Sequence, residues 1–277
     1  MRVGRIPYIN CYPVYGAIDR GLVTLDATLV DGTPSELNGL IASGRLDVSV
    51  VSAVEYARDS ERYLLLPDLA ISCDGPVRSV MLFSRQRAED LGGRKVIVSR
   101  SSMTSAALLE LLFENVWRCA PRFVPGDAEL SDVRRFDREE HDARLVIGDA
   151  ALLLGAEASD APRYPHVYDL GAMWKAWTGL PFVFAVWVAL RSTPVKAALD
   201  VHAALIESRD WGLAHLGELA RQASEYSGVA EPRCLEYLTG LDYGLSYPHL
   251  AGLTTFFGRL VERGRVPNGT LAFLPAA

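Results

Sequence analysis

Apolar and polar positions follow two rhythms along the first part of the chain. Short apolar runs alternate with stretches whose apolar residues recur every three or four positions, the signature of strands interleaved with amphipathic helices. Arg2 to Ile6 predicts a strand, and Pro13 to Arg20 a short helix stopped by Gly21. Thr28 to Asp31 predicts a second strand. The run T-P-S-E, Thr33 to Glu36, supplies a hydroxyl cap, a proline at the first helical position and an acid three residues after the cap. The helix it starts runs to Ser43 and ends at Gly44. Leu46 to Val51 is rich in β-branched residues and predicts a buried strand, and Ser52 with Glu55 forms a second capping box for the helix that follows. This β-α-β-α-β-α order points to a largely parallel sheet with covering helices.

A second unit follows the extended run Val77 to Ser84 and the polar segment RQRAEDLGG. It comprises a strand at Lys95 to Ser99, a helix from Met103 to Val116, a strand at Arg144 to Ile147 leading into the short helix ALLLG, and strands at Val167 to Leu170 and Phe182 to Leu190. From Pro194 onward the pattern is helical, over 195–208, 211–227, 231–239 and 248–263. No internal repeat or low-complexity segment interrupts it. The order predicts an α/β protein of two lobes with a ligand cleft between them: residues 1–85 plus 187–277 in the first and 86–186 in the second. The strands near Ser84 and Val186 would carry the chain out and back, and the late helices would pack on the first lobe.

Composition narrows the possibilities. A chain of 277 residues is long enough for two domains of ordinary size. With 28 Lys and Arg against 34 Asp and Glu, the net charge is −6, and without a basic block the chain is a poor match for nucleic acid. The longest apolar run, Leu180 to Leu190, falls well short of the roughly 20 residues a membrane-spanning helix needs. The opening MRVGRIPYIN lacks the apolar stretch of a signal peptide, so a cytoplasmic location is expected. Cys11, Cys73, Cys119 and Cys234 are scattered and read as small buried hydrophobes. The five histidines show no ligand spacing, and no metal site is expected.

Five segments carry candidate chemistry. In IPYINCYP, Asn10 stands where a strand turns into a helix; it is placed either to meet a ligand or to bond its own turn. In SRSSMTSAALLELLF, Ser101, Ser102, Thr104 and Ser105 crowd a helix start, more hydroxyls than capping needs. That arrangement suits a carboxylate, and the lack of a glycine-rich loop argues against a nucleotide. Arg78 and Ser79 open a strand, with Arg78 able to pair with a carboxylate or simply to face water. In LVIGDAALLLG, Gly148 permits close approach to backbone, and Asp149 is either a helix cap or a general base. In YDLGAMWKAWTGLPFVFAVW, Trp174 and Trp177 read as core, while Thr178, Gly179 and Pro181 could form a cleft wall. No Ser-His-Asp, Cys-His or paired-carboxylate set is present, so the residues alone describe a binder of a small, carboxylated, partly apolar ligand.

Six stretches in order, RIPYINCYPVY, LDVSVVSAVEYAR, ISCDGPVRSVMLFS, SSMTSAALLELL, LVIGDAALL and YDLGAMWKAWTGLPFVFAVW, resemble the menaquinone-biosynthesis chorismate dehydratases of the futalosine route. The resemblance covers residues 2 to about 190 and matches the helical tail more loosely. It implies a type II periplasmic-binding-protein-like fold and conversion of chorismate to 3-[(1-carboxyvinyl)oxy]benzoate, with no cofactor. It also implies that Asn10 sits beside the reacting ring and that the hydroxyls at Ser101 to Ser105 and the Ser79 segment hold the two carboxylates. The expected base is the substrate's own enolpyruvyl carboxylate, with Asp149 as the competing choice. Two other readings share the fold. A solute-binding protein would need a secretion signal. The sister enzyme that makes 1,4-dihydroxy-6-naphthoate carries a His in the segment that here reads IGD, where Gly148 and Asp149 stand.

Overall fold

The computed structural model describes residues 1–100, 102–126, 140–157 and 164–275. The chain forms two five-stranded mixed sheets flanked by helices. The first is built from β1 (Arg2–Arg5), β2 (Thr28–Asp31), β3 (Val48–Ser52), β4 (Tyr63–Cys73) and β10 (Phe182–Leu190), in the order β2-β1-β3-β10-β4. The second holds β5 (Val80–Ser84), β6 (Lys95–Ser99), β7 (Arg122–Gly126), β8 (Ala143–Ile147) and β9 (His166–Asp169), in the order β7-β6-β8-β5-β9. The expected parallel character holds for β1 against β2 and β3, and for β6 against β7 and β8. It fails for β10 and β5, which run antiparallel to their neighbours because they follow the two passages between lobes.

The helices of the first half are α1 (Tyr12–Asp19), α2 (Pro34–Ala42) and α3 (Ala53–Arg58). Those of the second sheet are α4 (Met103–Leu112), α5 (Gly148–Glu157) and α6 (Leu170–Thr178). The full capping box at Thr33 and Glu36 forms as expected. At Ser52 only half of it does: the hydroxyl accepts from the Glu55 amide, but the Glu55 side chain turns instead to the Tyr63 hydroxyl and Arg58. The long helix predicted to Val116 gives way after Leu112 to a wider turn that ends at Arg118 in left-handed backbone.

β4 is a strand that the hydrophobic pattern did not announce, because Pro67 and Asp68 interrupt it. It lies at the edge of the first sheet, where a missing amide donor costs nothing. Its register against β10 slips at Pro67–Asp68, and Asp68, at φ +51°, turns its carboxylate to the Leu245 amide and Arg209. The tail comprises α7 (Val195–Ala214), α8 (Leu216–Ser227), α9 (Glu231–Thr239) and α10 (Tyr247–Glu262). The expected break near residue 210 moves to His215, since buried Arg209 stays helical and bonds Asp68 and Asp210. α7 packs on α1, and α10 on β10, so the tail covers the first lobe.

The passages between lobes fall at residues 74–79 and 179–181, not at the expected 85/86 and 186/187: β5 already belongs to the second sheet and all of β10 to the first. Asp169 braces the outward passage. Its carboxylate accepts from the amides of Val77 (3.0 Å) and Arg78 (2.7 Å) while capping α6 through Ala172 (3.0 Å). Gly171 fits beneath the same passage, where a Cβ would lie 2.6 Å from the Gly75 carbonyl oxygen.

Candidate active site

The facing ends of the two sheets flank a cleft of about 570 Å³, a volume that includes the solvent at its open mouth. The first lobe contributes Ile6, Tyr8 and Asn10 from the turn after β1, Ser52 at the end of β3, and Ile71 and Phe184 from the strands behind. The second contributes Ser102 and Ser105 at the start of α4, and Ile147 and Gly148 after β8. Val77 and Ser79 on the outward passage close the back. Among the described residues none of the lining side chains is charged.

Local geometry explains each polar group. Ser102 caps α4: its hydroxyl accepts from the Ser105 amide at 3.2 Å and donates to the Ser105 hydroxyl at 2.8 Å, which leaves the Ser105 hydroxyl hydrogen for a further acceptor. Ser52 is held by Asn38, whose amide nitrogen donates to its hydroxyl at 3.1 Å. The Asn10 Oδ1 is buried and has no hydrogen-bond partner among the described residues, although Asn10 lines the cleft. Ser79 is buried, and its carbonyl accepts from the Gly148 amide at 2.7 Å.

Of the residues singled out in the sequence, Asn10, Ser79, Ser102, Ser105 and Gly148 meet in this cleft. Ser101 lies outside the described residues. Four others point elsewhere. Arg78 sits at φ +61° and pairs with Glu236 on α9 at 2.9 Å, which takes its guanidinium away from the cleft. The Thr104 hydroxyl accepts from the Val54 amide at 3.1 Å, tying α4 to α3. Thr178 donates to the Trp174 carbonyl at 2.8 Å, closing α6. The Pro181 carbonyl accepts from the Trp174 indole at 3.1 Å. Ser52 and Ile71 stand inside quoted stretches without having been named as lining residues: the capping role accounts for Ser52, and Ile71 belongs to β4, which Pro67 masks. Tyr8 stood inside a motif already quoted.

Asp149 does not line the cleft. It sits on the first turn of α5, only 5% exposed, and accepts from the Ile9 amide at 3.1 Å. Burial pushes its carboxyl up to about 7, with the Ile9 amide pulling weakly the other way. The titratable groups around it are Cys11 and Tyr12 from the α1 side and Cys234 and Tyr237 from α9, all pushed upward by burial and so uncharged at neutral pH. No cation offsets its charge among these neighbours.

This geometry can be set beside known proteins. The family described as menaquinone biosynthesis matches residues 1–262. The chain belongs to that menaquinone-biosynthesis family. Among curated relatives, a chorismate dehydratase of Thermus thermophilus is 34% identical over 239 residues, covering 82% of this chain and 84% of that protein. A chorismate dehydratase of Campylobacter jejuni is 29% identical over 190 residues, covering 67% and 66%. Among solved structures, a protein from Archaeoglobus fulgidus superposes with a TM-score of 0.79 at 20% identity, over 96% of this chain and 98% of that one. The alkanesulfonate-binding protein of Xanthomonas axonopodis, solved with bound MOPS, gives 0.69 at 12% identity, over 98% and 96%. The family member described here therefore has the two-lobed periplasmic-binding-protein-like fold. Among the described residues no helix is long and apolar enough to cross a membrane, and no group of His, Cys, Asp and Glu could hold a metal ion.

Proposed function

We propose that the protein is a chorismate dehydratase, a hydro-lyase that converts chorismate to 3-[(1-carboxyvinyl)oxy]benzoate and water in menaquinone biosynthesis, a role that fits a cytoplasmic enzyme. The observation that carries the mechanism is a cleft of neutral donors at the start of α4, with Asn10 facing them and no charged lining side chain among the described residues. The relatives named chorismate dehydratase supply the substrate class.

The chemistry follows from those donors. The Ser105 hydroxyl, held by Ser102, and the first-turn amides of α4 are suited to one carboxylate, and Ser79 with the neighbouring backbone to the other. Proton loss from the ether-bearing ring carbon sends the C–H electron pair into an extended enolate on the ring carboxylate. That pair then returns to expel the neighbouring hydroxyl, and aromatisation makes the step irreversible. Donors fixed where the enolate charge grows lower the barrier. The enolpyruvyl carboxylate takes the proton and, as the acid, delivers it to the departing hydroxyl, so one water leaves and no net proton is consumed. Neutral donors favour this role, because a cation beside that carboxylate would weaken it as a base. Asp149 stands behind the wall with its oxygen on Ile9, a poor position from which to reach a ring hydrogen.

The test is to mix purified protein with chorismate and follow the aromatic product by ultraviolet absorbance and mass. Loss of the mass of one water without added metal supports the reading. Chorismate bound but unchanged would leave a binding protein of the same fold. Neither binding nor reaction would remove chorismate as the ligand.

A further inference from the structure

We infer that Asp149 and Gly148 form a latch across the two lobes that sets the position of Asn10, so that Asp149 acts as a positioning residue and not as the base; this rests on the dehydratase reading. Three contacts converge there. The Asp149 carboxylate, from the second lobe, accepts from the Ile9 amide of the first lobe at 3.1 Å. Gly148, at φ +62°, presents a bare Cα to the Tyr8 ring, where a Cβ would come within 3.1 Å of the ring carbons. The Gly148 amide is anchored to the Ser79 carbonyl at 2.7 Å, which ties the latch to the passage between lobes. Tyr8 and Ile9 are the two residues before Asn10, so the backbone that aims Asn10 is fixed from the opposite lobe.

The arrangement explains why a carboxyl is buried with no cation beside it. Its acceptor oxygen satisfies a backbone donor that would otherwise be stranded at the lobe interface. That role needs only an acceptor at the Oδ1 position. Loss of the acceptor frees the Tyr8–Asn10 turn, and misplacing an orienting group costs turnover more than ground-state binding.

The experiment compares wild type, Asp149→Asn and Asp149→Ala, reading kcat and KM on chorismate together with amide exchange of the peptide that contains Ile9. The Asn variant keeps an acceptor oxygen; it should retain kcat within about threefold and keep the peptide protected. The Ala variant should lose roughly tenfold or more in kcat with little change in KM, and its Ile9 peptide should exchange about tenfold faster. If Asn loses turnover as severely as Ala while its peptide stays protected, Asp149 is the base and the inference is wrong. If Ala turns over like wild type, it is also wrong. Should wild type fail to convert chorismate, the dehydratase reading falls by itself. Exchange then judges the latch alone: protection lost only in Ala sustains it, and equal exchange in all three proteins overturns it.

Discussion

Replacing Asp149 by Asn should change how the stability of the protein depends on pH. The carboxyl titrates at about 7 in the folded chain against an ordinary 3.8. A carboxyl raised in this way leaves its full stability in place below the unfolded value. That stability is lost as pH rises, because the unfolded chain gives up its proton first, and the loss levels off above the folded value. At 1.36 kcal/mol per unit, the penalty is about 2 kcal/mol at pH 5 and about 4 kcal/mol at pH 8. Asn carries no such penalty. It brings pH-independent costs of its own, chiefly a buried NH2 in need of a partner, but these cancel between two pH values. Urea unfolding of both proteins at pH 5 and pH 8 isolates the difference. The variant should gain about 2 to 3 kcal/mol on wild type between the two. A stability difference that does not move with pH would show that Asp149 titrates normally and is hydrated, against its burial and its bond to Ile9.

Other outcomes follow from the same geometry. Asn10→Ala should lower kcat about a hundredfold while the circular dichroism spectrum and Tm stay near wild type, because the proposed function sets this cleft-lining side chain against the reacting ring. Ser105→Ala should raise KM for chorismate, and Ser102→Ala should do so while also costing about 1 kcal/mol of stability, as it caps α4. Gly171→Ala should cost about 1–3 kcal/mol in urea unfolding, because its Cβ would meet the Gly75 carbonyl oxygen at 2.6 Å. Gly148→Ala should lower kcat and Tm together, because its positive φ strains any side chain there and its Cβ would press on the Tyr8 ring that precedes Asn10.

The parts of this structure that were legible in the chain are those set by neighbours in sequence. The T-P-S-E cap, the β-branched strand before Ser52 and the serine-rich start of α4 are local signals, and each formed where its residues stand. What stayed hidden depends on distant partners. Pro67 masked β4, because only its edge position in the sheet makes a proline harmless there. Arg78 looked free to bind a carboxylate until Glu236, 158 residues away, was brought against it. Asp149 had the local features of a cap or a base, but its partner is the Ile9 amide, 140 residues earlier. Thr104 had a similar fate: its spare hydroxyl went to the backbone of the other lobe.

The two passages between lobes carry a mechanical consequence. The chain leaves the first sheet at Cys73 and returns at Phe182, and these two residues are paired across β4 and β10. Both threads therefore cross within one rung of a single ladder, about 5 Å apart. Two parallel tethers that close together resist twist and sideways slip more than bending about the line through them, so bending is the direction in which the bonds of Asp149 to Ile9 and of Thr104 to Val54 have to hold the lobes.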